Sequence, residues 1–137
     1  EQETGTDQVK AGGSVTAILA EITSGDFDIT QKRTASGQTI GMPDLRGDGE
    51  FIMKIRRIIP DFISQTGNTT ITLLLRNYPN DAAASSSLGP FTVTTTTDKV
   101  DTRARARAVS IKISNTATSQ DWKLGTFRLD IQPDGRR

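Results

Sequence analysis

Residues 100–114 read VDTRARARAVSIKIS, and apolar and polar side chains alternate along the second half of this stretch. Val109, Ile111 and Ile113 occupy every other position, with polar residues between them. Successive side chains of a β-strand point to opposite faces of the sheet, so this spacing is typical of a strand with one buried face. The sequence therefore predicts a strand that places these three β-branched residues in a core.

The first half of the same stretch does not fit that register. If the alternation is extended backwards, Arg103, Arg105 and Arg107 fall on the core side and the alanines between them fall outside. Burying three unpaired guanidinium groups is very unfavourable. We therefore expect the register to break near residues 107–109, at a β-bulge. The alternative is that the first half leaves the sheets and contacts another molecule.

Shorter stretches of strand character occur along the whole chain. In residues 70–76 the alternation predicts that Ile71, Leu73 and Leu75 face the core. Pro60 is expected either to end the strand before it or to place that strand at an edge. The remaining candidates are residues 14–22, 26–29, 51–59, 91–97 and 122–131, separated by turn residues. No long pattern of helical period is present. The sequence predicts an all-β fold, an antiparallel β-sandwich of the Ig-like or jelly-roll-like type with about seven or eight short strands.

The domain organisation follows from length and local composition. The chain has 137 residues, the size of one domain. Residues 1–13 are polar and glycine-rich and are expected to form a flexible N-terminal arm or linker, followed by a single sandwich domain over residues 14–137. No stretch has the roughly 18 consecutive apolar residues of a membrane span. We therefore expect no membrane-spanning segment.

The composition argues against most enzyme chemistry. The chain has no histidine and no cysteine, which removes the commonest general base, the commonest metal ligand and the thiol nucleophile. The acidic loop of residues 44–50 lacks the oxygen spacing of a calcium site, and its Arg-Gly-Asp is interpreted as part of an ordinary hairpin loop. We expect no enzyme, no catalytic residue, no metal and no cofactor.

The strongest local candidate for a binding surface is the arginine row itself. On a strand, Arg103, Arg105 and Arg107 would form a line of charge on one sheet face, and guanidinium groups bind carboxylates with bidentate geometry. The row has no interleaved aromatic residues for base stacking, and the net charge of the chain is only +1. We expect a subunit interface here and do not expect nucleic acid as a partner.

A carbohydrate-binding module for attachment to a host surface is the alternative. It depends on Trp122, the single tryptophan, and on Tyr78, the single tyrosine, as surfaces on which a sugar ring could stack. The competing interpretation of Trp122 is packing against the core, since it opens the last predicted strand.

The order of several segments resembles a pattern in virion structural proteins of tailed phages, especially short-tailed ones. The segments are Asp26–Ile29, Gly47–Phe51, Arg57–Phe62, Leu75–Pro79, the basic strand at 103–107 and the ending Trp122–Arg137. The resemblance covers residues 15–137. Where the family often has Arg-Gly-Arg in the basic strand, this sequence has Arg105-Ala106-Arg107.

The resemblance implies the C-terminal domain of a longer tail protein of the hub or nozzle type. Such a domain would act in the virion tail, after assembly in the host cytoplasm, through contacts with copies of itself and with other tail proteins. These implications agree with the absence of catalytic residue types noted above.

Overall fold

The computed structural model describes residues 7–28, 52–78, 82–84 and 86–134. Within these ranges the chain forms eleven β-strands and no helix, which confirms the predicted all-β class. The strands are β1 (Asp7–Val9), β2 (Val15–Ala17), β3 (Glu21–Thr23), β4 (Met53–Ile59), β5 (Phe62–Thr66), β6 (Thr69–Arg76), β7 (Ser86–Val93), β8 (Val100–Ala106), β9 (Ala108–Ser114), β10 (Asp121–Leu124) and β11 (Arg128–Pro133). The loop predicted for residues 31–49 and the acidic loop of residues 44–50 lie outside the described residues.

Two antiparallel sheets enclose the core. One has the strand order β11-β4-β8 and the other the order β3-β9-β6-β7. Both contribute to one buried apolar cluster, formed by Met53, Ile55, Ile58, Ala104 and Ala106 from the first sheet and by Ile71, Leu73, Leu75, Val93, Val109, Ile111 and Ile113 from the second. A core shared between the facing sides of two sheets defines a sandwich-like architecture. The predicted burial of alternate residues in β6 is confirmed.

A long two-stranded ribbon extends the first sheet. β4 pairs with β11, and β5, which follows β4 along the chain, pairs with β10, which precedes β11. The pairing is interrupted at Pro60, which ends β4 as predicted because proline has no amide hydrogen to donate. The backbone N–H of Gly125 donates a 2.7 Å hydrogen bond to the carbonyl of Asp61 and holds the ribbon together at this point.

The stretch 100–114 forms two strands in different sheets. β8 pairs with β4 in the first sheet, and β9 pairs with β6 and β3 in the second. Ala104 and Ala106 are each only 1% exposed, whereas Arg103 and Arg105 are exposed, so the predicted reversal of the register is confirmed. The predicted β-bulge is wrong, and so is the alternative in which the first half leaves the sheets. The chain instead crosses between the sheets at Arg107, whose N–H donates to the carbonyl of Arg76.

The strand count exceeds the predicted seven or eight for two reasons. Three predicted runs each divide into two strands: residues 14–22, 100–114 and 122–131. The candidate at residues 26–29 contributes only an isolated bridge, between Phe27 and Val109, in its described part. In addition, β5 and β1 were not predicted. β1 lies in the predicted arm, where it forms a hairpin with β2, and the carboxylate of Asp7 accepts hydrogen bonds from the backbone N–H (2.7 Å) and hydroxyl (3.1 Å) of Ser119. The division into an arm and a domain stays a prediction.

A buried asparagine attaches the segment before β3 to the end of β9. Asn115 is only 2% exposed, and its Oδ1 accepts a 2.8 Å bond from the N–H of Ala20 while its Nδ2 donates to the carbonyl of Ile18 at 3.2 Å. Its own backbone N–H donates to the carbonyl of Ala20 at 3.1 Å. These bonds satisfy the buried amide group of Asn115 and extend the pairing of β3 with β9.

We expect Asn115→Ala to lower the free energy of unfolding by about 2 kcal/mol, because it removes the two hydrogen bonds that the buried amide group makes with the backbone of Ile18 and Ala20. Urea unfolding measures this change, and hydrogen exchange of β3 is expected to accelerate with it. Asn68→Ala, at an exposed turn asparagine, is the matched control and is expected to change stability by less than about 0.5 kcal/mol. Equal effects of the two substitutions would contradict the assignment.

Candidate functional site: a cationic sheet face

All the described arginines of the β11-β4-β8 sheet lie on its outer side. We define the cationic face by its outward-facing charged residues, which are Lys54, Arg56, Arg57, Arg103, Arg105 and Arg128 together with the carboxylates Asp101, Asp130 and Asp134. Cations outnumber carboxylates on this face, although the chain as a whole is close to neutral. The face is therefore a local concentration of positive charge.

Strand geometry explains why these side chains point outward. Burial alternates regularly along β8, so Arg103 and Arg105, which flank the buried Ala104, both face solvent. In β4 the register shifts between Ile55 and Arg57 relative to both neighbouring strands. Ile55 and Ile58 are both buried although they are three positions apart, so Arg56 and Arg57 occupy the outer side together.

Two arginines of the face are neutralised by neighbouring carboxylates. Arg57 Nε lies 2.8 Å from Asp101 Oδ1, and Lys99 Nζ approaches the other oxygen of Asp101 at 3.8 Å. Arg105 Nε lies 2.6 Å from Asp134 Oδ2, and Arg105 Nη2 donates to the backbone carbonyl of Asp134 at 3.2 Å. These pairs are solvent-exposed, so each contributes little to stability and mainly orients its arginine.

The other cations of the face have no such partner. Among the described residues, no carboxylate lies within ion-pair distance of Lys54, Arg56, Arg103 or Arg128. Lys54 is directly opposite Arg105 in the β4–β8 register, and the carboxylate of Asp134, which pairs with Arg105, offsets the repulsion between these two like charges. Lys54, Arg56 and Arg103 line one open, polar depression in the face. The face therefore presents positive charge that the described part of the molecule does not neutralise.

The Arg57–Asp101 pair shifts the titration of both groups. The hydrogen bond from Arg57 is the main reason that the pKa of Asp101 lies below its ordinary value of 3.8. A smaller effect of lost hydration opposes the shift, and the positive charges of Arg57 and Lys99 add to it. The same pair raises the pKa of Arg57. Because the folded-state pKa of Asp101 is lowered, the stabilisation is present above pH 3.8 and is lost as the pH falls through the folded-state value.

We expect Arg57→Gln to move the pKa of Asp101 upward towards 3.8, because the substitution removes the largest cause of the shift. A carboxyl-carbon NMR titration of Asp101 measures the change. Arg128→Gln removes the same charge from the same face without touching Asp101 and is expected to leave its titration unchanged. The ion pair would be contradicted if Asp101 had the same titration curve in Arg57→Gln as in the wild type.

The structure does not place the three predicted interface arginines on one face. Arg103 and Arg105 lie on the cationic face, while Arg107 is half-buried at the crossing between the sheets. Sequence reasoning missed the cations of β4 and β11 that share this face. The sequence did indicate that Lys54 and Arg128 lie on the polar side of their own strands. Only the pairing of β4 with β8 and β11 brings them beside the arginine row.

The two aromatic residues of the alternative glycan site are not brought together. Trp122 packs against the core edge and contacts Phe62 edge-to-face, with ring centroids 6.2 Å apart at an interplanar angle of 78°. Its Nε1 is buried and has no hydrogen-bond acceptor among the described residues. Trp122 is opposite Gln65, next to the start of β6, whereas Tyr78 is exposed just beyond its end. β6 is roughly 25 Å long, so the two rings do not form one surface.

No other site is indicated in the described ranges. They contain no group of three or more acidic side chains placed to hold a metal ion. No helix there has the length and apolar character needed to cross a membrane. Comparison with models of known protein families found no match, and comparison with curated proteins found none either. The cationic face is therefore the candidate functional site.

Proposed function

We propose that this chain is a structural domain of a phage tail, of the nozzle or hub type, that acts by binding copies of itself and other tail proteins through its cationic face. The observation that carries the proposal is the concentration of cations on the outer side of the β11-β4-β8 sheet. Among the described residues, neighbouring carboxylates neutralise only some of these cations. The resemblance of the segment order to phage virion proteins supports the choice of particle.

The chemistry of the face suits protein contact. Arginine is enriched in protein interfaces because its planar guanidinium group makes bidentate bonds with carboxylates and is weakly hydrated. Arg105 donates to the carboxylate of Asp134, and this ion pair holds its guanidinium group in place before any partner binds, which reduces the entropy lost on binding. The shallow, polar form of the depression suits a protein surface better than an enclosed small molecule.

Virions purified from the source phage provide the test. Quantitative mass spectrometry is expected to find peptides of this chain at a fixed copy number per particle. Particles produced with Arg103→Gln/Arg105→Gln are expected to contain at least about tenfold less of it, given the cost of removing charged interface partners. Lys10→Gln/Lys112→Gln removes the same charge elsewhere and is the matched control. Absence of the chain from virions would overturn the proposal.

A further inference from the structure

β8 forms one edge of the β11-β4-β8 sheet. It pairs with β4 on one side, and in the described part of the chain no strand pairs with it on the other. Alternate residues of a strand direct their backbone N–H and C=O groups to opposite sides, so every second residue of β8 points these groups at the free edge. An unpaired edge of this kind is a template for pairing with another extended chain. With seven residues, β8 is long for an edge strand, since strands usually have about five or six.

The sheet that faces this edge is one strand wider. Within the described ranges, three strands of the first sheet stand against four of the second, and β8 is the strand of the first sheet that approaches β6 and β7 most closely. Leu88 and Phe91 of β7 are opposite the buried residues Leu73 and Ile71 and so point to the core side. Both nevertheless stay partly exposed. A strand added beside β8 would extend the first sheet over β7 and cover these two side chains.

The outer side of the same edge is positively charged. Arg103 and Arg105 are exposed at alternate positions of β8, about 7 Å apart at roughly 3.3 Å per residue. Asp134 accepts hydrogen bonds from Nε and Nη2 of Arg105, and the guanidinium group retains further donors for a second carboxylate. Arg103 has no carboxylate within ion-pair distance among the described residues. Carboxylates at alternate positions of an adjacent strand would match this spacing, and opposite charges across a strand pair stabilise it.

We propose that the free edge of β8 receives an extended segment of a different tail protein as a fourth strand. The segment has carboxylates at alternate positions on its outer side and apolar residues on its inner side. The inference rests on the proposed function, since it names the mode of binding and the chemistry of the partner at the cationic face. Backbone hydrogen bonds with β8 supply affinity, and contacts with the two arginines and with the inner side of β7 supply selectivity.

A second copy of this chain suits the edge less well. Two β8 edges paired with each other about a twofold axis would bring the arginines of one copy close to those of the other, and like charges across a strand pair are unfavourable. In the described ranges the only carboxylates two residues apart are Asp26 and Asp28. That segment is held within its own domain by the ion pair between Asp26 and Arg76. A partner of different sequence therefore fits the edge better.

Synthetic peptides test the fourth strand directly. The probe has seven residues, as β8 has, with glutamate and valine at alternate positions and both ends blocked. Its binding to the full chain is measured by calorimetry at about 0.1 M salt, where the Debye length is about 10 Å. A peptide of the same composition with its glutamates grouped at one end is the matched control for charge. We expect the alternating peptide to bind at least about tenfold more tightly, because only it presents carboxylates on one side and valines on the other.

Two N-methylated forms of the alternating peptide test the backbone pairing. One is methylated at the amide nitrogens of its glutamates and the other at those of its valines, so each form loses the donors of one edge only. Only one edge of an added strand faces β8. One form is therefore expected to bind as the unmodified peptide does, and the other at least about tenfold more weakly.

Substitutions in the chain test the contribution of the arginines. Arg103→Gln/Arg105→Gln is expected to weaken binding of the alternating peptide by about threefold to tenfold, because two cross-strand pairs of opposite charge are lost. Lys10→Gln/Lys112→Gln removes the same charge elsewhere and is expected to leave the binding unchanged. Thermal unfolding of both variants shows that they fold, and the peptide comparisons on the wild type do not depend on either variant.

Hydrogen exchange of the β8 amides locates the contact. Amides at the free edge are expected to exchange rapidly in the free chain and slowly in the complex with the peptide. Protection of these amides in the free, monomeric chain would mean that another segment of the same chain occupies the edge, and it would overturn the proposal. Self-association of the chain that the peptide reverses would make a second copy the occupant and would also overturn it.

Two results with the wild type would contradict the added strand itself: no binding at about 1 mM alternating peptide, or equal binding of the two methylated forms. Virion incorporation is measured separately from peptide binding. A chain that is present in virions but binds no peptide would retain the proposed function without the added strand, whereas a chain absent from virions would lose the proposed function itself.

Discussion

Leu73→Ala is expected to lower the free energy of unfolding by about 3 kcal/mol, within the range of roughly 2–5 kcal/mol for buried leucines. Leu73 lies in the middle of β6, is fully buried, and belongs to the cluster that joins the two sheets. Removing its side chain loses transfer free energy and leaves a cavity, because β7 and β9 flank β6 on both sides and limit how far the sheet can relax.

The matched control is the next residue in the chain. Leu74→Ala removes the same atoms from the opposite side of β6, where the side chain is half-buried and its cross-strand neighbours are Ser87 and Ser110. We expect a loss of about 1 kcal/mol there, since less apolar area returns to water. Urea unfolding with a common slope for both variants measures the difference. Equal losses would mean that β6 does not have the observed inward and outward sides.

Gly125→Ala is expected to destabilise the domain by about 2–3 kcal/mol. A Cβ atom at this position would lie 2.6 Å from the backbone carbonyl oxygen of Asp61, closer than real Cβ contacts allow. The contact is with backbone, which cannot move aside without disturbing the 2.7 Å hydrogen bond from Gly125 to the same oxygen. The cost therefore combines overpacking with a weakened hydrogen bond at the junction of β10 and β11.

Gly25→Ala separates this effect from the general consequences of replacing a glycine. A Cβ atom at Gly25 would have no neighbour within 4 Å, and Gly25 does not have the positive φ that disfavours other residues. Its replacement is expected to be neutral or to stabilise by up to about 1 kcal/mol through the unfolded state. Thermal and urea unfolding of both variants measures the contrast. A neutral Gly125→Ala would contradict the close approach of the two ribbon strands.

The unpaired charges of the cationic face lower the free energy of unfolding of the domain. Lys54, Arg56 and Arg103 lie on the same side of the sheet, and none of the three has a carboxylate partner among the described residues. Repulsion of this kind lowers the stability of the domain. Local rules of stability are most often broken at functional sites, and this supports the choice of the face as the candidate functional site.

The strands of the core could be predicted from the sequence because each contains its own signal. Alternation identified the buried side of β6 and β9, and the missing amide hydrogen of proline identified the end of β4 at Pro60. The weaker boundaries were missed: β5 has no clean alternation, and its exposed Ile63 breaks the expected pattern. Short strands at the edge of a fold depend on their partners more than on their own sequence.

The candidate site was only partly predictable. The spacing of Arg103 and Arg105 indicated a row of charge on one side of a strand, and the structure places both residues on that side. The contribution of Arg56 and Arg57 was not predictable, because it depends on a register shift of β4 against two strands that are distant in sequence. Tertiary packing decides which strands are neighbours. A face formed by three strands therefore cannot be predicted from the sequence of one of those strands.

The stretch 100–114 separates what the sequence determined from what the tertiary structure decided. The sequence determined that arginines and core isoleucines cannot share one buried side, because an unpaired buried charge is too unfavourable. Only the tertiary structure decided how they are separated. The two sheets face each other across the core, so the side of a strand that points into the core in one sheet points away from it in the other. A chain that crosses from one sheet to the other therefore keeps alternating, but even-numbered residues are buried before the crossing and odd-numbered residues after it. Ala104 and Ala106 point into the core from one sheet and Val109 and Ile111 from the other, and no extra residue is required to reverse the parity.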